Sequence, residues 1–176
     1  MNIKKSYVAT IAFAAACIVG ATNYLQLQRP LSSLLSKDSR NNGIEVSAHY
    51  EYYVFPSTLI FNLKSVSPER SPADITRVFL KFAEIQKSKN FSMVKLSHAG
   101  NEKFRITGEY FKKLGLEFGE QNPVYTIRTM PQNLYKPDGT AAFGTWTGGV
   151  LGVLNNQMED FNEFHRQWYV SDLAGK

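Results

Sequence analysis

The chain has 176 residues, 43% of them hydrophobic and 20% charged, with a formal net charge of +5. That balance suits one domain with a proper apolar core, and excludes a disordered chain or a scaffold that needs a disulfide or a metal to hold it. The basic excess lies outside the folded part, since residues 1–40 hold five basic side chains against Asp38 alone while 41–176 hold 15 against 14 acidic; a nucleic-acid binder would concentrate positive charge on its domain, so none is expected as a partner.

Lys4 and Lys5 precede an uncharged run, residues 6–28, whose most apolar part is residues 7–21. Lysines ahead of an apolar run keep the N-terminus in the cytoplasm and send the downstream domain across the membrane. Three fates fit it. As a membrane anchor it has about the length that spans a bilayer, roughly 20 residues. As a signal peptide it offers cleavage after Ala21, behind Val19-Gly20. As a lipoprotein signal, Ala14-Ala15-Ala16-Cys17 resembles a bacterial lipobox and makes Cys17 the lipidation candidate. All three put the domain outside the cytoplasm, on the periplasmic side of a bacterial inner membrane for a retained anchor. Cys17 is the single cysteine, so the rest of the chain holds no intrachain disulfide, Cys-based zinc site or cysteine nucleophile. Residues 1–25 are thus read as signal peptide or transmembrane anchor, 26–43 as a polar linker and 44–176 as a single extracytoplasmic domain.

Within that domain, Ile44, Val46, Ala48, Tyr50, Tyr52 and Val54 alternate on one face of a first strand, and Leu59, Phe61 and Leu63 mark a second that forms a hairpin with it. Ser71-Pro72-Ala73-Asp74 carries a cap, a proline at the first helical position and an acid three residues on, so a helix starts there with Ile75, Val78, Phe79, Phe82 and Ile85 buried. Two strands follow, with Val94 and Leu96, then Phe104 and Ile106, inward across a turn at Ala99-Gly100-Asn101. Thr107 caps a helix closed by Gly119. Val124 to Met130 alternates as a fifth strand. Last comes an amphipathic helix whose stripe is Leu151, Leu154, Met158, Phe161, His165 and Trp168. The order β-β-α-β-β-α-β-α predicts an α+β fold, a mainly antiparallel sheet of about five strands with helices packed on it.

Catalytic signatures are missing from the sequence. His49, His98 and His165 have no metal-binding spacing, no nucleophile elbow occurs, and the Glu159, Asp160 and Glu163 cluster faces solvent by helical phase. Neither a cofactor nor a metal is expected. Gly144-Thr145-Trp146-Thr147-Gly148-Gly149 lacks the lysine and Ser/Thr of a phosphate cradle. With Gly152 it places a glycine every four residues, which on a helix makes a smooth face for close approach. Gly144, Trp146, Gly148, Gly149 and Gly152 are therefore the candidate partner surface, for an envelope protein or a second copy. The expected function is a membrane-tethered, non-catalytic envelope module acting through protein contacts. The alternatives are an exported hydrolase with dispersed residues around one of the histidines, or a ligand or envelope-polymer binder using Tyr50, Tyr52, Tyr53 and Phe55.

Overall fold

The computed structural model describes residues 2–175, and of residues 2–10, 12 and 13 the backbone alone. The elements in chain order are α1 (Asn2–Asn23), a π-helical turn (Tyr24–Gln28), α2 (Arg29–Ser36), β1 (Ile44–Glu51), β2 (Phe55–Val66), α3 (Pro72–Gln86), β3 (Met93–His98) and β4 (Asn101–Thr107). They continue with α4 (Gly108–Glu117), α5 (Pro123–Thr129), α6 (Val150–His165), a second π-helical turn (Arg166–Val170) and α7 (Ser171–Ala174).

The fold is α+β, but the sheet has four strands in the order β1-β2-β3-β4 and is mixed. β1 with β2 and β3 with β4 are antiparallel hairpins, while the central pair β2 and β3 is parallel, joined through α3. The expected fifth strand is α5. Its valine, tyrosine and threonines favour a strand, yet Asn122 accepts a hydrogen bond from the Val124 amide at 2.9 Å and Pro123 takes the first helical position. A cap and a preset φ outweigh side-chain propensity over so short a segment.

Helix α3 forms as its sequence requires: Ser71 Oγ accepts from the Asp74 amide at 3.3 Å and the Asp74 carboxylate accepts from the Ser71 amide at 3.0 Å. Ile75, Val78, Phe79 and Phe82 are buried, but Ile85 is exposed and Gln86 takes the inward position. One sheet face, bearing Val46, Ala48, Leu59, Phe61, Leu63, Val94, Leu96, Phe104 and Ile106, forms the core with α2, α3, α4 and Trp168. Helix α4 approaches so closely that a Cβ on Gly108 would lie 1.7 Å from the Phe91 carbonyl oxygen, and one on Gly115 would lie 2.3 Å from that of Ala83.

The polar linker expected over residues 26–43 is not a stalk. It begins inside a helical path that runs without a break from Asn2 to Ser36, and Leu27 and Leu31 are fully buried in the core. Their polar neighbours hid them. The π turn explains the arrangement, because an i→i+5 turn stacks residues five apart, bringing Asn23 and Gln28 to one side. There the Asn23 Oδ1 accepts the Tyr50 amide at 2.8 Å and the Gln28 Oε1 accepts the Ala48 amide at 2.9 Å. These are outward N–H groups of edge strand β1, so side-chain amides substitute for a fifth strand. The Gln26 carbonyl in the widened turn accepts from Gln86 Nε2 at 3.1 Å.

The C-terminal clamp is shifted in phase. Phe161, Phe164, His165, Trp168 and Tyr169 are buried, whereas Leu151 is 78% exposed and Leu154 and Met158 only half-buried, because the first turns of α6 extend past the sheet. Trp168 donates through Nε1 to the Ser97 carbonyl at 3.1 Å. A bulge between Leu96 and Ser97 breaks the strand alternation, so Leu96, Ser97 and His98 are all buried. Ser97 and His98 are therefore part of the interior, although they stand next to the hairpin turn at Ala99 and Gly100.

Candidate functional site

The sheet face away from the helices is a broad surface built from several elements. Its residues are the alternate positions of the same strands: Ser47, His49 and Glu51 on β1, Ile60, Asn62 and Lys64 on β2, and Lys95 on β3. Two concavities share His49, Tyr53 and Asn62. One, of about 560 Å³, lies against Gly20, Asn23 and Tyr24 of the helix; the other, of about 300 Å³, reaches Lys95, Ser97 and Glu102. The His49 and Tyr53 rings stack at 4.5 Å between centroids and form the ridge that divides them.

Around Lys95 the charge on this face is internally paired. Lys95 Nζ lies 2.6 Å from Glu51 and 3.0 Å from Glu102, and Glu102 also pairs with Arg105. Burial works against the charge on Lys95, but hydrogen bonds and the charges of the two glutamates outweigh it and raise its pKa. Burial would likewise raise Glu102, and its bonds to Arg105 and Lys95 outweigh that, holding it below the usual carboxylate range. These groups stay ionised near neutrality, which suits a fixed electrostatic pattern rather than proton transfer.

The histidines are separated. His49 Nδ1 bonds the Tyr50 carbonyl at 2.9 Å, and no serine or carboxylate is hydrogen-bonded to its ring among the described residues. His98 is buried and bonds Asp172 at 2.7 Å, with Lys103 on the same carboxylate at 2.8 Å. His165 is buried against Thr76 at 3.0 Å, and desolvation pushes its pKa down to about 3. No cluster of three metal-ligating side chains occurs among the described residues. Among the described residues the hydroxyl hydrogen-bonded to a histidine ring is that of Thr76 on His165, and both residues are buried away from the concavities.

The glycine-rich candidates occupy a different place. Gly144, Gly148 and Gly149 lie in the loop before α6 and only Gly152 is helical, so no four-residue helical face of glycines exists. All four are exposed with open space where a Cβ would stand. Trp146 donates to Asp160 Oδ2 at 2.6 Å, which pins the loop to α6 beside exposed Val150 and Leu151. This surface and the sheet-face concavities are separate. Of the strand-one aromatics, Tyr50 is buried while Tyr52, Tyr53 and Phe55 are exposed at the hairpin tip.

Among the described residues no helix is long and apolar enough to cross a membrane, and the anchor expectation falls partly outside them, because the side chains of residues 7–10, 12 and 13 are not described. Cys17 is exposed on α1. The sheet-face residues were legible in the period-two pattern, where Ser47, His49 and Glu51 alternate with the core set; the bridging roles of Asn23 and Gln28 had no sequence signal, since they depend on a π turn. Comparison of the chain with models of known protein families, with characterised proteins and with solved structures finds no match.

Proposed function

We propose that the chain is a membrane-tethered, extracytoplasmic α+β module without catalytic activity, acting through protein contacts in the cell envelope. The observation that carries this reading is the state of α1: residues Ile11, Ala14 to Ile18 and Gly20 are exposed, whereas its continuation is fixed to β1 and the core. A run of exposed apolar side chains on a helix held firmly at its other end is stable in a bilayer and costly in water. Lys4 and Lys5 ahead of the run support a cytoplasmic N-terminus.

The module has two surfaces for a partner, the loop from Gly144 to Gly152 with Val150 and Leu151, and the polar sheet face. Photo-crosslinking from Leu151 in intact membranes tests the first; a single defined protein adduct supports the reading, and crosslinks to lipid alone oppose it. A ligand reading keeps one observation in its favour, the exposed Tyr53 stacked on His49 over the concavities. Fractionation with and without Cys17→Ser tests the tether. Retention of both forms in the membrane supports an anchor, loss on substitution identifies a lipoprotein, and a soluble product shortened to Thr22 overturns the tether.

A further inference from the structure

We infer that the tip of the β1–β2 hairpin is a second membrane contact, seated in the lipid headgroup interface beside the point where α1 leaves the bilayer. The inference rests on the tethered reading above. Tyr52, Tyr53, Val54 and Phe55 are four consecutive large apolar side chains, all more than half exposed, with Tyr52 at 76%. A soluble hairpin closes with small polar residues, and the positive φ values of Tyr52 (48°) and Tyr53 (64°) are ones that asparagine and glycine adopt with less strain. Bulky side chains held in that conformation at an exposed tip are a local cost that function explains better than folding does.

The height of the tip identifies what covers it. Asn23 Nδ2 donates to the Tyr53 carbonyl at 2.7 Å, so the tip is tied to α1 two residues beyond Ala21, where the apolar run ends. Asn23 and Gln28 meet Tyr50 and Ala48 respectively, so α1 runs antiparallel to β1 and continues past the tip toward its own N-terminus. Exposed Tyr24 and Leu25 stand at the same level. Tyrosine and phenylalanine rings at that height match the aromatic belt of membrane proteins, where a ring with an apolar body and a polar end sits at the headgroup boundary. Lys89 Nζ lies 2.9 Å from the Gln26 side chain and 3.1 Å from the Tyr50 hydroxyl, which puts a cation near the level where phosphates would lie. A bilayer that holds α1 to Ala21 therefore meets the tip without any rearrangement. One anchor fixes only a distance, and two fix the orientation of the sheet face.

The full chain carrying Cys17→Ser and one new cysteine, at Ile18, Val54 or Glu69, is labelled with an environment-sensitive fluorophore and reconstituted into phosphatidylcholine vesicles with brominated acyl chains. Glu69 is exposed at the opposite end of the sheet. Loss of emission at positions 18 and 54 but not at 69, against unbrominated vesicles, is the expected result. Loss at 18 with none at 54 overturns the second contact and leaves the tether standing. No loss at 18 overturns both, and equal loss at 54 and 69 overturns the specific placement of the tip.

Discussion

The Asn23 side chain joins the first helix to the first strand twice, accepting the Tyr50 amide at 2.8 Å and donating to the Tyr53 carbonyl at 2.7 Å. The asparagine is buried and β1 is an edge strand, so no solvent or neighbouring strand stands ready to replace it. Asn23→Leu should lower unfolding free energy by about 1–3 kcal/mol, the penalty for a buried donor left unmade. Urea denaturation of the full chain in detergent measures it. A loss within error of zero would mean that the edge is not sealed by this amide.

Gly108 and Gly115 sit where α4 touches backbone, and Gly152 faces open space. Gly115→Ala should destabilise by several kcal/mol or prevent folding, because the nearest atoms belong to Ala83 backbone and cannot rotate away. Gly152→Ala, in a solvent-facing helical turn, should stabilise by about 0.5–1 kcal/mol. Thermal melts of the two variants separate these signs. A Gly152→Ala protein that is more stable yet loses its crosslinked partner would mark the glycine as an interface residue.

Burial lowers the His165 pKa from 6.5 to about 3. The folded state therefore keeps the ring neutral while the unfolded chain takes up a proton below its ordinary pKa. Unfolding binds protons in that window, so stability falls as pH drops below about 6.5, by up to about 1.4 kcal/mol per pH unit for this group. His165→Leu should flatten stability between about pH 6.5 and about pH 5, above the range where the paired carboxylates titrate. Equal slopes for the two proteins would show that water reaches the ring.

Trp168 is fully buried and its indole N–H ends on the Ser97 carbonyl. Trp168→Ala should cost about 3–5 kcal/mol through the cavity and the lost contacts. Trp168→Phe should cost less, since the ring stack on Phe164 survives. Denaturant midpoints order the pair.

Where sequence and structure agree, a local signal decided the element. The Ser71 to Asp74 box, the Thr107 cap on Tyr110 and the alternation of β1 to β4 are each read from a few neighbouring residues. The differences arise where a residue's partner is distant. Leu27 and Leu31 lie among glutamines, an arginine and serines, and only the sheet they pack against makes them core. α5 carried opposing signals, strand propensity and an Asn-Pro cap, and tertiary packing gives no strand neighbour to a segment beyond β4, whose edge is met by Tyr135 at 2.8 Å instead. For the candidate site, the residues of the sheet face could be chosen by parity, but the stacking of His49 on Tyr53 depends on the left-handed turn that places that ring. The glycine spacing at Gly144 to Gly152 presumed a helix that begins only at Val150.

Spin labels at Ile18 and Val54 in the Cys17→Ser chain, read by depth-dependent relaxation in oriented bilayers, test the central account most directly. It predicts Ile18 in the hydrocarbon and Val54 at the headgroup boundary of the same leaflet, with a narrow distance distribution between the two because Asn23 and Gln28 fix the helix to β1. A broad distribution, or both labels in water, would contradict it.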